Sequence, residues 1–113
     1  MVRRAEPESV KPLTHNALKA CILQYLTLRG WLCWANNTGA YAIEDDRHQR
    51  RFVRFGKNGS GDIFALHDHQ FYSIEVKVGR DRLRSEQEEW MEQVRAHGGV
   101  AVVARCLDDV RML

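Results

Sequence analysis

The chain predicts an α/β fold, a mixed sheet flanked by helices, because its patterns run helix, several strands, helix, strand. Three observations carry this. Residues 14–29 repeat apolar side chains at helical spacing. "DIFAL" and "FYSIEVKV" are β-prone runs joined by a polar turn at Asp68 and His69. "VAVVAR" is a continuous apolar run, as a strand buried on both faces requires.

Residues 1–13 are polar and charged around Pro7 and Pro12, and read as an N-terminal arm ahead of one domain over 14–113. Thr14 caps a helix in which Leu18, Ile22, Tyr25 and Leu26 recur at three- and four-residue steps, and Gly30 stops it after Arg29. "WLCWAN" is a short strand whose Trp31 and Trp34 are expected in the core, with stacking on exposed bases as the competing reading. "AYAIE" and "RRFVRF" flank "DDRHQ" as a hairpin with a charged tip, and "GKNGSG" is a glycine-rich loop. Ser85 and Glu88 fit an S-x-x-E capping box that opens a second helix carrying Trp90, Met91 and Val94. "HGG" ends that helix, and "LDDVRML" reads as a short helix capped by Asp108 or Asp109.

A chain of 113 residues, 44% apolar and 28% charged, holds one core. A net charge of only +2 makes no general case for nucleic acid, so any phosphate-binding surface must come from local clustering. Cys21, Cys33 and Cys106 lack CxxC spacing and are expected as buried free thiols in a reducing compartment. With no apolar run of membrane-spanning length and no signal peptide, the expected location is the cytoplasm.

The chemistry concentrates in "GSGDIFALHDHQFYSIEVKVG". Successive strand residues alternate faces, so Glu75 and Lys77 share one, roughly 6.6 Å apart. A hairpin turning at Asp68 and His69 sets Leu66 opposite Phe71, Phe64 opposite Ser73 and Asp62 opposite Glu75. Opposed Cβ atoms lie about 4.5–5.5 Å apart, and a one-residue slip would send Asp62 to the other face. Carboxylates this close repel unless a cation lies between them, and oxygen-only ligation points to Mg²⁺ or Mn²⁺. Such an ion acidifies a water near neutral pH, and Lys77 is placed to orient that water or to stabilise charge on a phosphate. The competing reading is a solvent-facing salt bridge with Asp62 as a strand-end residue. Against it stand the apolar opposite face, Ile63, Ala65, Ile74 and Val76, and the glycine loop before Asp62, which permits close approach.

"GSGDIFAL", "IEVKVG" and "SEQEEW", with "NNTGAY", "RFVRFGKNGSGD" and "HGGVAVVAR" in the same order, resemble the VRR-NUC family of the PD-(D/E)xK nuclease superfamily, over residues from about 14 to 105. The resemblance implies a restriction-endonuclease-like αβββαβ core: helix, three-strand meander, helix, strand. It also implies metal ligation by Asp62, Glu75 and the Val76 carbonyl, Lys77 as the catalytic lysine, and Gln87 as the glutamine of the second helix. Stand-alone phage and bacterial members resemble dimeric, structure-specific DNA nucleases, including resolvases of four-way junctions. The family usually has a glutamate early in the first helix to complete the metal site. An ungapped count from "ILQYL" puts His15 there. Histidine also ligates manganese; the alternatives are an exposed first-turn residue, or Glu6 or Glu8 supplying the carboxylate.

Arg47, Arg50, Arg51, Arg54 and Lys57 fall within eleven residues and are expected to contact DNA phosphates, although Arg51 and Arg54 differ in strand parity. Arg80, Arg82 and Arg84 form a second cluster able to flank the same groove. Asn37 is expected near the site from "NNTGAY", against an ordinary turn asparagine. "HDH" reads as a polar turn at the sheet end away from Asp62. A C2 homodimer is expected, since cutting both strands of a branched substrate takes two sites. These expectations describe a Mg²⁺- or Mn²⁺-dependent endonuclease of branched DNA, with four-way junctions or flaps as substrates. The rivals are a catalytically weak or inactive DNA-binding module on the same fold, and an RNA or mobile-element restriction nuclease that keeps the chemistry and changes the substrate.

Overall fold

The computed structural model describes residues 13–113. The expected N-terminal arm, apart from Leu13, and the alternatives Glu6 and Glu8 lie outside the described residues. The elements run α1 (His15–Leu28), β1 (Leu32–Ala35), β2 (Gly39–Glu44), β3 (Arg50–Phe55), β4 (Ile63–His67), β5 (Gln70–Val76), α2 (Ser85–Ala96), β6 (Val100–Ala104) and α3 (Asp108–Arg111).

Four strands form the central sheet in the order β1-β4-β5-β6. The β1–β4 and β4–β5 pairs are antiparallel and β5–β6 is parallel, so the sheet is mixed, as expected. The meander is not continuous in sequence. Between β1 and β4 the chain makes a separate two-stranded ribbon, β2–β3, that packs substantially on no other element.

The β4–β5 register is the expected one, with Leu66 opposite Phe71 and Phe64 opposite Ser73. The turn sits at Asp68 and His69, whose φ values of 50° and 64° suit a tight two-residue hairpin. One face of this hairpin, Ile63, Ala65, Ile74 and Val76, is fully buried with Leu18, Ile22 and Leu26 of α1. Each of these Ile, Val and Leu side chains contributes roughly 1.5–3 kcal/mol when removed from water. The other face takes Met91 and Val94 of α2 over Ala101 of β6. Alternation along the strands thus gives each helix its own face.

Thr14 caps α1 by accepting from the Ala17 N–H at 3.1 Å, and Gly30, at φ 83°, lets the chain turn out of the helix. The cap of α2 differs from expectation. Arg84, in extended conformation, is the N-cap, and its N–H donates to the Gln87 side-chain oxygen at 2.9 Å. Ser85 is the first helical residue, because Gln87 rather than Glu88 reaches back. Neither Asp108 nor Asp109 is the N-cap of α3, which starts after Leu107; Asp109 accepts from the Arg105 N–H at 2.8 Å.

Two burial expectations also change. Trp31 is buried, stacked 4.5 Å from the His67 ring, but Trp34 is 42% exposed on the opposite face, where no helix covers β1. Cys21 and Cys33 are only half-buried and Cys106 is exposed; all three are free thiols. Among the described residues no helix is long and apolar enough to cross a membrane.

Candidate active site

Asp62 directly precedes β4. Its N–H donates to the Ile74 carbonyl at 2.9 Å, and its own carbonyl accepts from the Asn36 N–H at 2.8 Å. Both neighbours of β4 therefore hold it in register. Its Oδ2 accepts from the Val76 N–H at 2.8 Å and lies 3.4 Å from His15 Nε2. His15 comes from the first turn of α1, which crosses the buried face of the same strands.

Glu75 is buried on β5, facing α2. Gln87 donates from Nε2 to Glu75 Oε1 at 3.0 Å, and Lys77 Nζ stands 3.9 Å from the same oxygen. Lys77 is 5% exposed, its N–H donates to the Ala104 carbonyl at 3.0 Å, and its ammonium also lies 3.7 Å from Asp81. Burial first, then the Asp62 charge and a hydrogen bond shared with Asp62, push the Glu75 carboxyl from its ordinary 4.5 up to about 8. Lys77 and Arg84 pull it the other way.

Glycines pin the loop before Asp62. A Cβ on Gly59 would collide with the Glu86 carbonyl, and one on Gly61 with Ser73 Oγ. Ser73 Oγ in turn accepts from Trp90 Nε1 at 2.8 Å. Asn36 donates from Nδ2 to Ser60 Oγ and to the Gly61 carbonyl, both at 2.8 Å. The loop is thus clamped between α2 and the end of β1, and Asp62 emerges from it toward Glu75.

Among the described residues no group of three or more His, Cys, Asp and Glu side chains lies close enough to hold a metal ion. The carboxylate oxygens come from Asp62 and Glu75, and His15 rests against Asp62 without completing a three-ligand set. The donor set still suits a hard divalent cation. Magnesium is usually held by one or two carboxylates together with waters and phosphate oxygens. A cation between these acids would offset the burial and the Asp62 charge that together raise the Glu75 carboxyl.

The arginines expected at DNA scatter over the ribbon. Arg50 and Arg54 share one face with Phe52, by the pairings Glu44–Arg50, Ala42–Phe52 and Ala40–Arg54. Arg51 lies on the other face and pairs with Asp45 at 3.2 Å, and Arg47 is at the exposed tip. Lys57 lines an apolar cleft with Phe71, Trp90 and His97. Asn37 is exposed, and its neighbour Asn36 makes the loop contacts. Asn36 and Asp81 were missed as site residues, and Arg84, named in the second basic cluster, was missed as the cap of α2. A one-position shift separates Asn36 from Asn37 and Arg84 from Ser85, which strand alternation alone does not resolve, and Asp81 is reached only through the Lys77 side chain, four residues back.

No curated protein matches the chain. The family model described as VRR-NUC domain matches residues 14–107, from the cap of α1 to the residue before α3, and so includes His15, Asp62, Glu75, Lys77 and Gln87. On that match the chain belongs to the VRR-NUC domain family.

Proposed function

We propose that the chain is a divalent-cation-dependent endonuclease of branched DNA, such as four-way junctions or flaps. Family membership supports a nuclease-like fold. The observation that carries the chemistry is the half-buried Asp62 beside the buried Glu75, with Gln87 3.0 Å and Lys77 3.9 Å from Glu75 Oε1.

In this reading Asp62, Glu75 and the Val76 carbonyl hold Mg²⁺ or Mn²⁺, with His15 beside Asp62. When bound, the ion offsets phosphate charge and lowers the pKa of a water. Gln87 fixes the Glu75 carboxylate through Oε1, beside Asp62. The Lys77 ammonium, held between Glu75 and Asp81, is aimed where charge builds on the phosphate or where the attacking water sits. Arg47, Arg50, Arg51, Arg54, Lys57 and Asn37 serve as the DNA-contacting set. The active form is a C2 homodimer, which supplies two sites to one junction.

The test is a panel of labelled duplex, single-stranded, flap and four-way-junction DNA incubated with Mg²⁺, Mn²⁺ or a chelator. Cleavage of the branched substrates is expected with either metal and none with the chelator. Asp62→Ala, Glu75→Ala and Lys77→Ala should each lower cleavage at least a hundredfold while circular dichroism shows a folded chain. Full activity in any one of them counts against the assignment. Junction binding without products under either metal selects the non-catalytic module, the reading favoured by a histidine in place of the family's first-helix glutamate.

A further inference from the structure

Where the ribbon leaves the core, Arg54 at the end of β3 and Arg84 at the cap of α2 line one cleft of about 350 Å³, with Thr38, Asn58, Gly39 and Gly56 also in its wall. The two guanidiniums come from elements thirty residues apart in sequence. Among the described residues Arg54 has no carboxylate partner, and the carboxylate paired with Arg84, Glu86, is 3.6 Å away with the arginine 64% exposed. Two cations facing one cleft repel unless an anion lies between them. The positive end of the α2 dipole adds to the same field, and the Asn58 amide and Thr38 hydroxyl are neutral donors in the same wall.

The cleft has a rigid floor. Gly56 turns at φ 73°, and a Cβ there would stand 2.8 Å from Thr38 Cγ2 and 2.9 Å from the Asn37 carbonyl. The two ends of the ribbon are therefore packed backbone to backbone, and Arg54 projects from a fixed root. The cleft also adjoins the carboxylates. Arg84, the cap of α2, stands three residues, about 4.5 Å of helical rise, before Gln87, whose amide holds Glu75.

We infer that this cleft is a phosphate subsite, in which Arg54 and Arg84 together grip the backbone phosphate of the strand next to the one facing Asp62 and Glu75. The inference rests on the nuclease reading and names where the cut strand is held. Guanidiniums suit the task because each forms paired hydrogen bonds to phosphate oxygens, which lysine does not. Contact with a phosphate fixes register without reading sequence, as recognition by DNA shape requires. A strand in the cleft also ties the ribbon to α2, so that the ribbon is oriented by the substrate it grips.

The experiment measures affinity for a labelled four-way junction in the Glu75→Gln background, over a salt series and with single methylphosphonate substitutions walked along the cut strand. In the otherwise unchanged arginine background, one neutral linkage beside the cut should cost about tenfold in affinity. Arg54→Ala and Arg84→Ala should each lose about tenfold, with the salt slope reduced by about one. The double variant should lose less than the product of the singles and should no longer respond to that linkage. Arg84→Lys should restore the salt slope but not the full affinity. Both side chains are exposed and Arg84 caps α2 through its backbone, so folding is retained and is checked by thermal melting. If both variants keep the parental affinity and salt slope while the native protein cuts junctions, the subsite is overturned and the nuclease reading stands. If the linkage signature depends on both arginines but the native protein yields no products, the nuclease reading fails and the subsite stands.

Discussion

Glu75 is 5% exposed, faces another carboxylate, and has its carboxyl held at about 8. A pKa raised on folding has a defined consequence for stability. The folded chain binds the proton more tightly than the unfolded one, so this contribution is fully present below pH 4.5 and is lost as pH rises toward 8. The cation-free protein should therefore lose a few kcal/mol of stability across that window. Glu75→Gln should flatten the slope and be the more stable form at pH 8. Urea midpoints at a series of pH values in chelator check this, and an unchanged slope in Glu75→Gln removes Glu75 as its cause. Mg²⁺ should raise the midpoint of the parent at pH 8 and leave that of Glu75→Gln nearly unmoved. The facing of Asp62 and Glu75 was legible in the sequence because alternation and a turn at Asp68 and His69 are local properties of a hairpin. The approach of His15 to Asp62 at 3.4 Å was placed by a count along the chain, but its distance depends on how α1 lies across the sheet.

At the level of elements, the loop between the ribbon and β4 is positioned by what glycine lacks. Gly59 combines φ 82° with a Cβ direction that runs into the backbone of α2, whereas Gly79, at φ 58°, has open space around it. Gly79→Ala should cost only the left-handed conformation, about 1–2 kcal/mol. Gly59→Ala adds a collision with backbone that cannot rotate away, and should cost about 3 kcal/mol or more. It should also impair cleavage, because Asp62 follows three residues later. Denaturant unfolding of the two variants decides the point; equal costs would mean that α2 does not press on the loop. The sequence marked this loop as permitting close approach, and α2 is the element that approaches it. The one-residue shift of the α2 cap from Ser85 to Arg84 has a similar origin. The S-x-x-E pattern and the pairing of Arg84 with Gln87 are both compatible with the local sequence, and Gln87 is drawn inward by its bond to Glu75.

Taken as one body, the described residues leave these two apolar surfaces uncovered. Leu32, Trp34 and Leu66 are 63%, 42% and 43% exposed on the sheet face that α2 covers over β5 and β6 and, through Trp90 on Phe64, over part of β4. Tyr41, Ile43 and Phe55 are 52%, 40% and 45% exposed on the ribbon face opposite Arg50 and Arg54. Each exposes on the order of 300 Å² of apolar surface, the size of the largest patch on a typical monomer, and the described residues carry two. A symmetric pair in which each ribbon lies on the partner's sheet face would bury two of each, about 1,200 Å², which reaches the range of specific interfaces. A lone two-stranded ribbon is also marginal in water. The chain should therefore run as a dimer by light scattering at micromolar concentration, and Ile43→Lys or Leu66→Lys should make it a monomer. A monomeric parent, with or without DNA, removes this proposal. The ribbon's amphipathic character was only half visible beforehand. Strand parity separated Arg51 from Arg54, but nothing local said that the hairpin would stand apart from the central sheet.

The residues from 59 to 79 carried enough local information to place two acids and a lysine on one face, because β-pleat alternation and turn geometry act over a few residues. The helices were likewise legible from their apolar spacing and from Thr14 and Gly30. Which helix covers which face, and where cover stops, is settled by packing between segments distant in sequence. That is why Gln87 meets Glu75, Arg54 meets Arg84 across a cleft and Trp34 stays in water, and why none of these follows from periodicity. Local propensity builds the strands and helices; burial of the remaining apolar surface decides how they come together.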